Sequence, residues 1–522
     1  MNTNKFIEFD KIISYFNPLT PYGKIYKENI VFNTAMDPIK RKHEAISHSF
    51  NIIKSKKILS DKIRYHLKNI PYIDENKKDF SSSDIFQIKK FLNNSKAIFN
   101  LLPAKEKRFF KANFELDKLL DYLSMDSNKD DFYISDLYDD TLKKIRRDIE
   151  NLDLVLKKEK EDFLSFINKE TDLDFSKRDF LLVSYSLKNI NNSNLLYVEP
   201  YDNSFYMAKP RWPEKVLNLM AEREKLIAFE KEKEAEIIKK ISTLINSDLK
   251  FIREYIKIIE EIDIAFASAL MAMELNLSKP ALGTDKIICK NAFFIPIKIE
   301  LAEMKLPYTK LSFIFDKRLN IVAGSNMGGK TVLLKTIAQL QYLSQCGFFV
   351  PAERYSAPLF ESIQVNVNDE FTVGLSSFAS EIKGIIDILK SIKGPTLIFT
   401  DEFARTTNIR EAQALFSAII DEFSKRKEIY FFSATHFHDI DFTQESDFLS
   451  MKGFNIEKYN AIKDLKKSDN ITDRIKIINK CMDYTLIRNK KQKKFYDAIN
   501  IARILGLDDN ILIKAKKYME EK

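Results

Sequence analysis

From Glu214 to Lys279 the chain has neither glycine nor proline. Apolar residues recur there at Ile238, Ile241, Ile245, Ile252, Ile256, Ile259, Ile262 and Phe266, mostly three or four apart. That spacing predicts helix with one buried face. Asn246-Ser247-Asp248 favours caps and turns, so a break is expected there. The run Glu230 to Glu236 is all charge except Ala235 and reads as a solvated face. Between 179 and 209 the pattern changes to short β-like runs, Phe180–Tyr185 and Leu195–Val198, around the turn-rich Asn191-Asn192-Ser193-Asn194. Further on, Leu319–Ala323, Leu397–Phe399 and Ile429–Phe432 read as buried-type strands, and Val332–Leu343 reads as helix. Near the end, Phe495 to Leu505, then Gly506, then Asp509 to Tyr518 predicts helix–glycine–helix, with Gly506 as a C-cap and Asp508 or Asp509 as a start signal.

Glycine placement divides the chain. Of eleven glycines only Gly23 lies before residue 283, and eight fall from Gly283 to Gly394. Long glycine-free stretches favour helix, and clustered glycines favour the tight loops of an α/β domain. At 522 residues the chain has room for several domains. Its net charge of +9 is a modest excess, compatible with nucleic acid without implying it. Cys289, Cys346 and Cys481 match no metal spacing and read as reduced thiols, which suits a cytoplasmic protein. Met1 to Lys11 has no apolar signal core. No apolar run approaches ~18 residues, so no membrane span is expected. Richness in Lys, Asn, Ile and Phe fits an AT-rich genome and says nothing of function.

The densest chemistry is Gly324-Ser325-Asn326-Met327-Gly328-Gly329-Lys330-Thr331. This is G-x-x-x-x-G-K-[ST] between a strand and a helix, the setting a phosphate-binding loop needs. Its glycines let backbone N–H groups turn around phosphates. Lys330 is placed for the β- and γ-phosphates and Thr331 for Mg²⁺. Asp401 ends an apolar strand, where a carboxylate can join the metal shell opposite Thr331. Glu402 follows, placed to orient or activate water. His436 follows a third strand and is a candidate γ-phosphate sensor.

Asn-Met-Gly-Gly-Lys resembles the MutS family of ATPases, whose loop typically reads G-P-N-M-G-G-K-S. Ser325 stands for the proline and Thr331 for the serine. Four further segments resemble the family in the same order. They are Val350-Pro351-Ala352, Gly374-Leu375-Ser376-Ser377-Phe378-Ala379-Ser380-Glu381 (similar to G-R-S-T-F-x-x-E), Leu397 to Glu402 (the Walker B strand) and Ser433-Ala434-Thr435-His436 (the A-T-H switch). After Asp401-Glu402 the family usually continues I-G-R-G-T-S. Here the chain reads Phe403-Ala404-Arg405-Thr406-Thr407-Asn408, with both glycines gone. The resemblance implies that Ser376 reaches the nucleotide of a partner subunit.

It also implies an α plus α/β architecture. A helical core and lever domain would occupy 1–280, with a small clamp remnant at 179–209 and long arm and core helices at 214–279. An α/β ATPase domain with a phosphate-binding loop, of MutS/ABC type, would occupy 281–445. A C-terminal extension with a helix-turn-helix dimerisation element would occupy 446–522. Phe6 to Ile13, then Pro18 to Lys24, looks like the opening of the core domain. Phe6-x-Glu8 has the spacing of the family's mismatch motif but reads as chance, with no domain before it. Tyr185, Tyr197, Tyr201 and Tyr206 are candidates for base stacking, although aromatics in strands more often pack. Residues 126–150 (Asp126, Asp130, Asp131, Asp136, Asp139, Asp140) are locally acidic, which disfavours a phosphate backbone there.

The resemblance thus implies a homodimeric ATPase using ATP and Mg²⁺ to drive a conformational switch. Small MutS-like ATPases of this layout resemble those that reactivate cobalamin-dependent aminomutases, such as lysine 5,6-aminomutase. The short clamp, with no mismatch or nuclease domain expected, favours that partner. The alternative is double-stranded, branched or mispaired DNA.

Overall fold

The computed structural model describes residues 2–125, 134–184, 194–324, 328–367, 377–404, 408–437, 440–441, 443–462, 471–489 and 497–520. In chain order, α1 (Thr3–Phe6), α2 (Phe9–Ile13), α3 (Pro21–Glu28), α4 (Met36–Ser55), α5 (Lys57–Lys68), α6 (Ser82–Leu101), α7 (Ala104–Phe110) and α8 (Asp117–Leu123) come first. A short 3-10 turn at Asp136–Tyr138 leads into α9 (Asp140–Thr171), β1 (Leu181–Ser184), β2 (Leu196–Pro200), β3 (Phe205–Pro210) and α10 (Glu214–Leu275). Next are β4 (Ala281–Leu282), β5 (Ile287–Ala292), α11 (Ile295–Glu303), β6 (Leu311–Phe315), β7 (Leu319–Ala323), α12 (Lys330–Cys346), β8 (Arg354–Ala357) and β9 (Ser362–Asn366). The chain continues through α13 (Ser377–Ser391), β10 (Thr396–Asp401), α14 (Ile409–Ser424), β11 (Ile429–Thr435) and β12 (Ser446–Phe454). It closes with α15 (Ile456–Ile462), α16 (Ile471–Cys481), β13 (Met482–Arg488), α17 (Asp497–Leu505) and α18 (Asp509–Glu520).

Two compact units result. The first holds Met1–Lys68, Asn100–Ala112 and Lys257–Lys522, and the second holds Asn69–Phe99 and Asn113–Ile256. The first unit is built on a six-stranded sheet of order β13-β12-β7-β11-β10-β9. All neighbours in it are parallel except the edge pair β12–β13. The sheet therefore takes in β12 and β13, beyond residue 445. A strand buried on both faces reads as continuous apolar sequence, and β7 is buried at every position. Leu319, Ile321 and Ala323 pack with Phe416, Ile420 and Phe423 of α14. Val322 packs with Leu333, Leu334 and Ile337 of α12 on the other face. A second sheet, β4-β8-β5-β6, belongs to the same unit.

The N-terminal segment packs into this α/β core. Phe6, Ile7, Phe9, Ile12 and Phe16 share a cluster with Val322, Leu333 and Phe399. The Phe6 and Phe399 ring centroids are 6.2 Å apart. Phe6 is buried, and Glu8 pairs with Lys335 of α12 at 2.8 Å. Neither residue of Phe6-x-Glu8 is presented as a wedge.

In the second unit β1-β3-β2 form an antiparallel sheet. Val183, Leu196 and Ala208 pack its inner face on Ile167 of α9. Tyr197 and Tyr201 are exposed, and the Arg211 guanidinium lies 5.2 Å from the Tyr197 ring centre. Tyr206 is half-buried. Tyr185, Asn191 to Ser193, Asp126, Asp130 and Asp131 lie outside the described residues. Arg146 of α9 pairs with Glu230 and Glu234 of α10, so the charged run there is partly tied to a neighbouring helix.

α10 corrects one expectation, because it runs unbroken through Asn246-Ser247-Asp248. Ile245 and Ile252 are fully buried on either side. The Ser247 hydroxyl donates back to the Leu244 carbonyl, and the Asn246 amide donates to the Lys78 carbonyl at 2.8 Å. Packing overrides weak helix propensity when the polar side chains find such partners. The C-terminal helix–glycine–helix forms as the pattern predicts. Gly506 has φ +95°, and Asp508 caps α18 through the Asn510 amide at 2.9 Å.

Asp263 of α10 fixes the Pro18–Gly23 turn. Its buried carboxylate accepts from the Leu19 and Thr20 amides and from the Thr20 hydroxyl at 2.7 Å. Burial still raises its pKa. A Cβ at Gly23 would strike the Asp263 carboxylate and lie 2.7 Å from Pro18 Cβ. Gly23→Ala is therefore expected to destabilise the first unit by about 1–3 kcal/mol, the usual cost of overpacking. Thermal unfolding followed by circular dichroism checks this, and an unchanged Tm would mean the turn has slack.

Candidate functional site

The parallel sheet brings three strand ends together. β11 lies between β7 and β10, with Thr435 opposite Ala323 and Ala434 opposite Asp401. The segments leaving β7, β10 and β11 therefore emerge side by side. In open α/β sheets this carboxyl edge is where ligands bind.

Gly324 follows β7, Gly328 is buried, and Gly329 starts α12 with φ +82°. Glycine is needed at 329 for two reasons, the left-handed backbone and the Tyr484 ring. A Cβ there would come 2.9 Å from Tyr484 Cδ1. Lys330 is only 4% exposed, and its ammonium donates to the Gly324 carbonyl at 2.7 Å. Burial lowers its pKa, against the pull of Glu402 and Asp401. The Thr331 hydroxyl donates to Asp401 Oδ2 at 2.6 Å. Asp401 Oδ1 is buried and has no hydrogen-bond partner among the described residues. Burial raises the Asp401 pKa although Thr331 opposes it. An orphaned carboxylate oxygen beside a threonine hydroxyl fits a divalent cation, whose oxygen ligands are of this type.

Glu402 and Ala404 both sit in the left-handed region, at φ +49° and +57°. The Glu402 amide donates to the Ala434 carbonyl at 2.9 Å. The Ala404 amide donates to the buried Glu381 carboxylate at 2.5 Å. Ala404 stands where the resembling motif has its first glycine, so Glu381 holds a backbone shape that glycine would adopt freely. His436 follows β11, half-buried, with its ring centre 4.7 Å from that of Phe437. Ser325, Asn326, Met327, Ser376, and Arg405 to Thr407 lie outside the described residues.

A cavity of about 340 Å³ opens beside the loop. Tyr308 and Leu311 wall it from before β7, and Met451, Asn479 and Tyr484 from after β11. Lys330, Thr331 and Thr336 form its floor. Sequence reasoning missed these wall residues. They are far apart in the chain and carry no local motif.

These features define a class: an α/β domain in which a glycine-rich loop joins a central parallel strand to a helix, facing a carboxylate on a nearby strand. Residues 320–521 match MutS domain V. A 235-residue stretch, 44% of this chain, is 32% identical to Endonuclease MutS2 of Lactobacillus acidophilus, covering 29% of that protein. A 306-residue stretch, 56% of this chain, is 29% identical to Endonuclease MutS2 of Caldicellulosiruptor saccharolyticus, covering 35% of it. The DNA mismatch repair protein MutS of Clostridium botulinum is 25% identical over 310 residues, 58% of this chain and 30% of that protein. The chain is thus similar to MutS-family proteins over this region, and a MutS-family ATPase is supported by its matches. Its matches span about a third of the length of these relatives.

Glu381→Ala would strand the buried Ala404 amide, at a cost of about 1–3 kcal/mol. Amide hydrogen exchange at 402–404 is expected to accelerate strongly while exchange in α12 stays slow. Unchanged protection at Ala404 would show that another group holds the turn.

Proposed function

We propose that the chain hydrolyses ATP to ADP and phosphate, and that this drives a conformational switch acting on DNA. The observation that carries the hydrolase reading is the Thr331–Asp401 pair with its orphaned carboxylate oxygen, beside a buried lysine at a glycine-rich helix start. Thr331 and Asp401 would hold Mg²⁺, which when bound supplies positive charge to the phosphates. Lys330 exchanges the Gly324 carbonyl for phosphate oxygens. Gly324 to Gly329 wraps the phosphates with backbone amides. The 340 Å³ cavity takes the base and ribose, with Tyr308 and Tyr484 as its aromatic walls. Glu402 orients the attacking water and accepts its proton, and His436 senses the γ-phosphate.

The Walker-type motifs support ATPase chemistry within 281–445, with β12, β13 and Tyr484 of the extension completing the pocket. The C-terminal helices pair two copies of the chain, and Ser376 of one copy reaches the nucleotide of the other. A cytoplasmic setting suits the three buried, unpaired cysteines. Among the described residues no helix is long and apolar enough to cross a membrane. DNA is the partner favoured here, because the relatives are named as an endonuclease and a mismatch repair protein. The aminomutase reading rested on the layout of the chain, and none of those relatives carries such a name.

Lys330→Ala is expected to abolish ATP binding. Glu402→Gln is expected to keep binding and slow hydrolysis by roughly 10²-fold or more. Tyr484→Ala is expected to weaken nucleotide affinity while sparing turnover at saturation. Equilibrium nucleotide binding and phosphate release check all three, and chelation of divalent metal should stop release. Wild-type turnover in Glu402→Gln would remove Glu402 from the role of water activator. The dimer is tested by light scattering with ATP. A chain that stays monomeric yet turns over fully rules out the shared site.

A further inference from the structure

Charge is sorted unevenly along the chain. In the second unit acidic side chains outnumber basic ones, so the first unit carries more than the whole net charge of +9. General lysine richness does not explain this. The second unit is also rich in lysine, but its lysines are matched by glutamate and aspartate. The excess is dense in two helices of the first unit, α5 and α7, and α4 packs against both.

α5 shows what the sorting does to one surface. Ser60, Ile63 and Leu67 are its buried stripe. Lys57, Ile58, Asp61, Lys62, Tyr65 and Lys68 are exposed on the opposite side, over about 140° of the circumference at ~100° per residue. Lys54 and Lys56 extend the exposed positive face toward α4. Asp61 is the one acid in this stretch. None of Lys56, Lys57, Lys62 and Lys68 forms an ion pair among the described residues. Between them stand Ile58, 76% exposed, and Tyr65, 66% exposed. On α7, Lys105, Arg108 and the following Lys111 are exposed, while the helix's one acid, Glu106, is buried against His48 at 3.1 Å. An amphipathic helix normally mixes both signs on its wet face. Here the acids are few or turned inward.

We propose that the outer face of α5 is a contact surface for the phosphate backbone of duplex DNA. The dimensions suit it. Lys57 to Lys68 spans about 16 Å at ~1.5 Å per residue. Duplex DNA presents a charge every ~1.7 Å of axis with both strands counted, so phosphates recur along the whole length of this face. A membrane surface fits less well, since Ile58 and Tyr65 make no continuous apolar stripe to insert. The absence of a base-reading pattern makes the contact independent of sequence. The clamp-like sheet of the second unit sits in a unit with an acidic balance. The backbone charge is therefore met chiefly by the first unit.

The inference rests on DNA being the partner, and not on hydrolysis. The test uses the full chain with Lys56→Glu, Lys57→Glu, Lys62→Glu and Lys68→Glu combined. A fluorescein-labelled duplex is titrated by anisotropy across a salt series. Affinity is expected to fall by roughly tenfold or more, and the slope of log K against log salt to shrink by about 0.9 for each phosphate no longer neutralised. Lys157→Glu with Lys158→Glu in α9 is the control and should leave both values near wild type. If wild type binds the duplex and the fourfold variant matches it in affinity and slope, the α5 face is not the contact. If wild type binds no duplex, the DNA reading falls and this inference with it. Loss of binding to phosphatidylserine vesicles with duplex binding intact would make the face a membrane surface instead. Circular dichroism and DNA-free ATP turnover monitor folding. Should the reversals perturb either, the Lys→Gln set at the same positions is read by the same two values.

Discussion

The Thr331 hydroxyl reaches Asp401 because β7 and β10 run parallel with β11 between them. That alignment depends on burial of β7 on both faces. A slip of one residue would move Leu319, Ile321 and Ala323 to the α12 side and Asn320 and Val322 to the α14 side. The same burial that fixes the register dries the strand ends. Lys330, Asp401 and Glu381 are all largely withdrawn from water. Charges held this way interact strongly and are costly without partners. Lys330 has a carbonyl, Glu381 has a backbone amide, and Asp401 has a hydroxyl on one oxygen only. The incomplete member of this set is the one placed to take a ligand.

The turn after Asp401 shows how the site manages without glycine. Glu402 and Ala404 each hold a left-handed backbone, which costs a non-glycine residue about 1–2 kcal/mol. Such conformations persist only where their surroundings impose them. The Ala434 carbonyl holds the Glu402 amide and the Glu381 carboxylate holds the Ala404 amide. Glu381 closes the motif Gly374 to Glu381. The structure therefore joins two sequence motifs, one running into α13 and one after β10.

Legibility followed locality. The loop, its strand and helix, Asp401 at a strand end, and the C-terminal helix–glycine–helix were readable because each is a pattern within a short stretch of chain. The unbroken α10 was not, since the partner of Asn246 is the Lys78 carbonyl, far away in sequence. Phe6 and Phe9 read as part of the opening of a core domain, and Phe16 as an apolar position beside it. Nothing local says that they pack against Phe399, Tyr342 and Phe348. The cavity walls Tyr308 and Tyr484 escaped for the same reason. Charge sorting is legible only after contacts divide the chain, because the two units interleave in sequence.

The helix that follows the glycine-rich loop is gripped at both ends by the N-terminal segment. Near its start Lys335 pairs with Glu8, and against burial Lys11 and Lys335 together lower the Glu8 pKa. At its end Gly347 is left-handed, and the Gly347 and Phe348 amides cap the Ser344 and Leu343 carbonyls. Lys42 of α4 approaches the Cys346 carbonyl at 3.4 Å while bonding Tyr26 at 2.9 Å. His43, kept neutral by burial that pushes its pKa down to about 4, meets the Phe348 carbonyl at 3.1 Å. Gln345 bonds the Asn33 carbonyl at 2.7 Å. A packed core does not deform continuously. Any shift of α12 when its N-terminus takes a ligand must therefore either carry α1 to α4 along or break these contacts. α4 in turn bears α5 and α7, so the helix that opens at the candidate phosphate loop is joined, within one compact unit, to the lysine-rich face of α5.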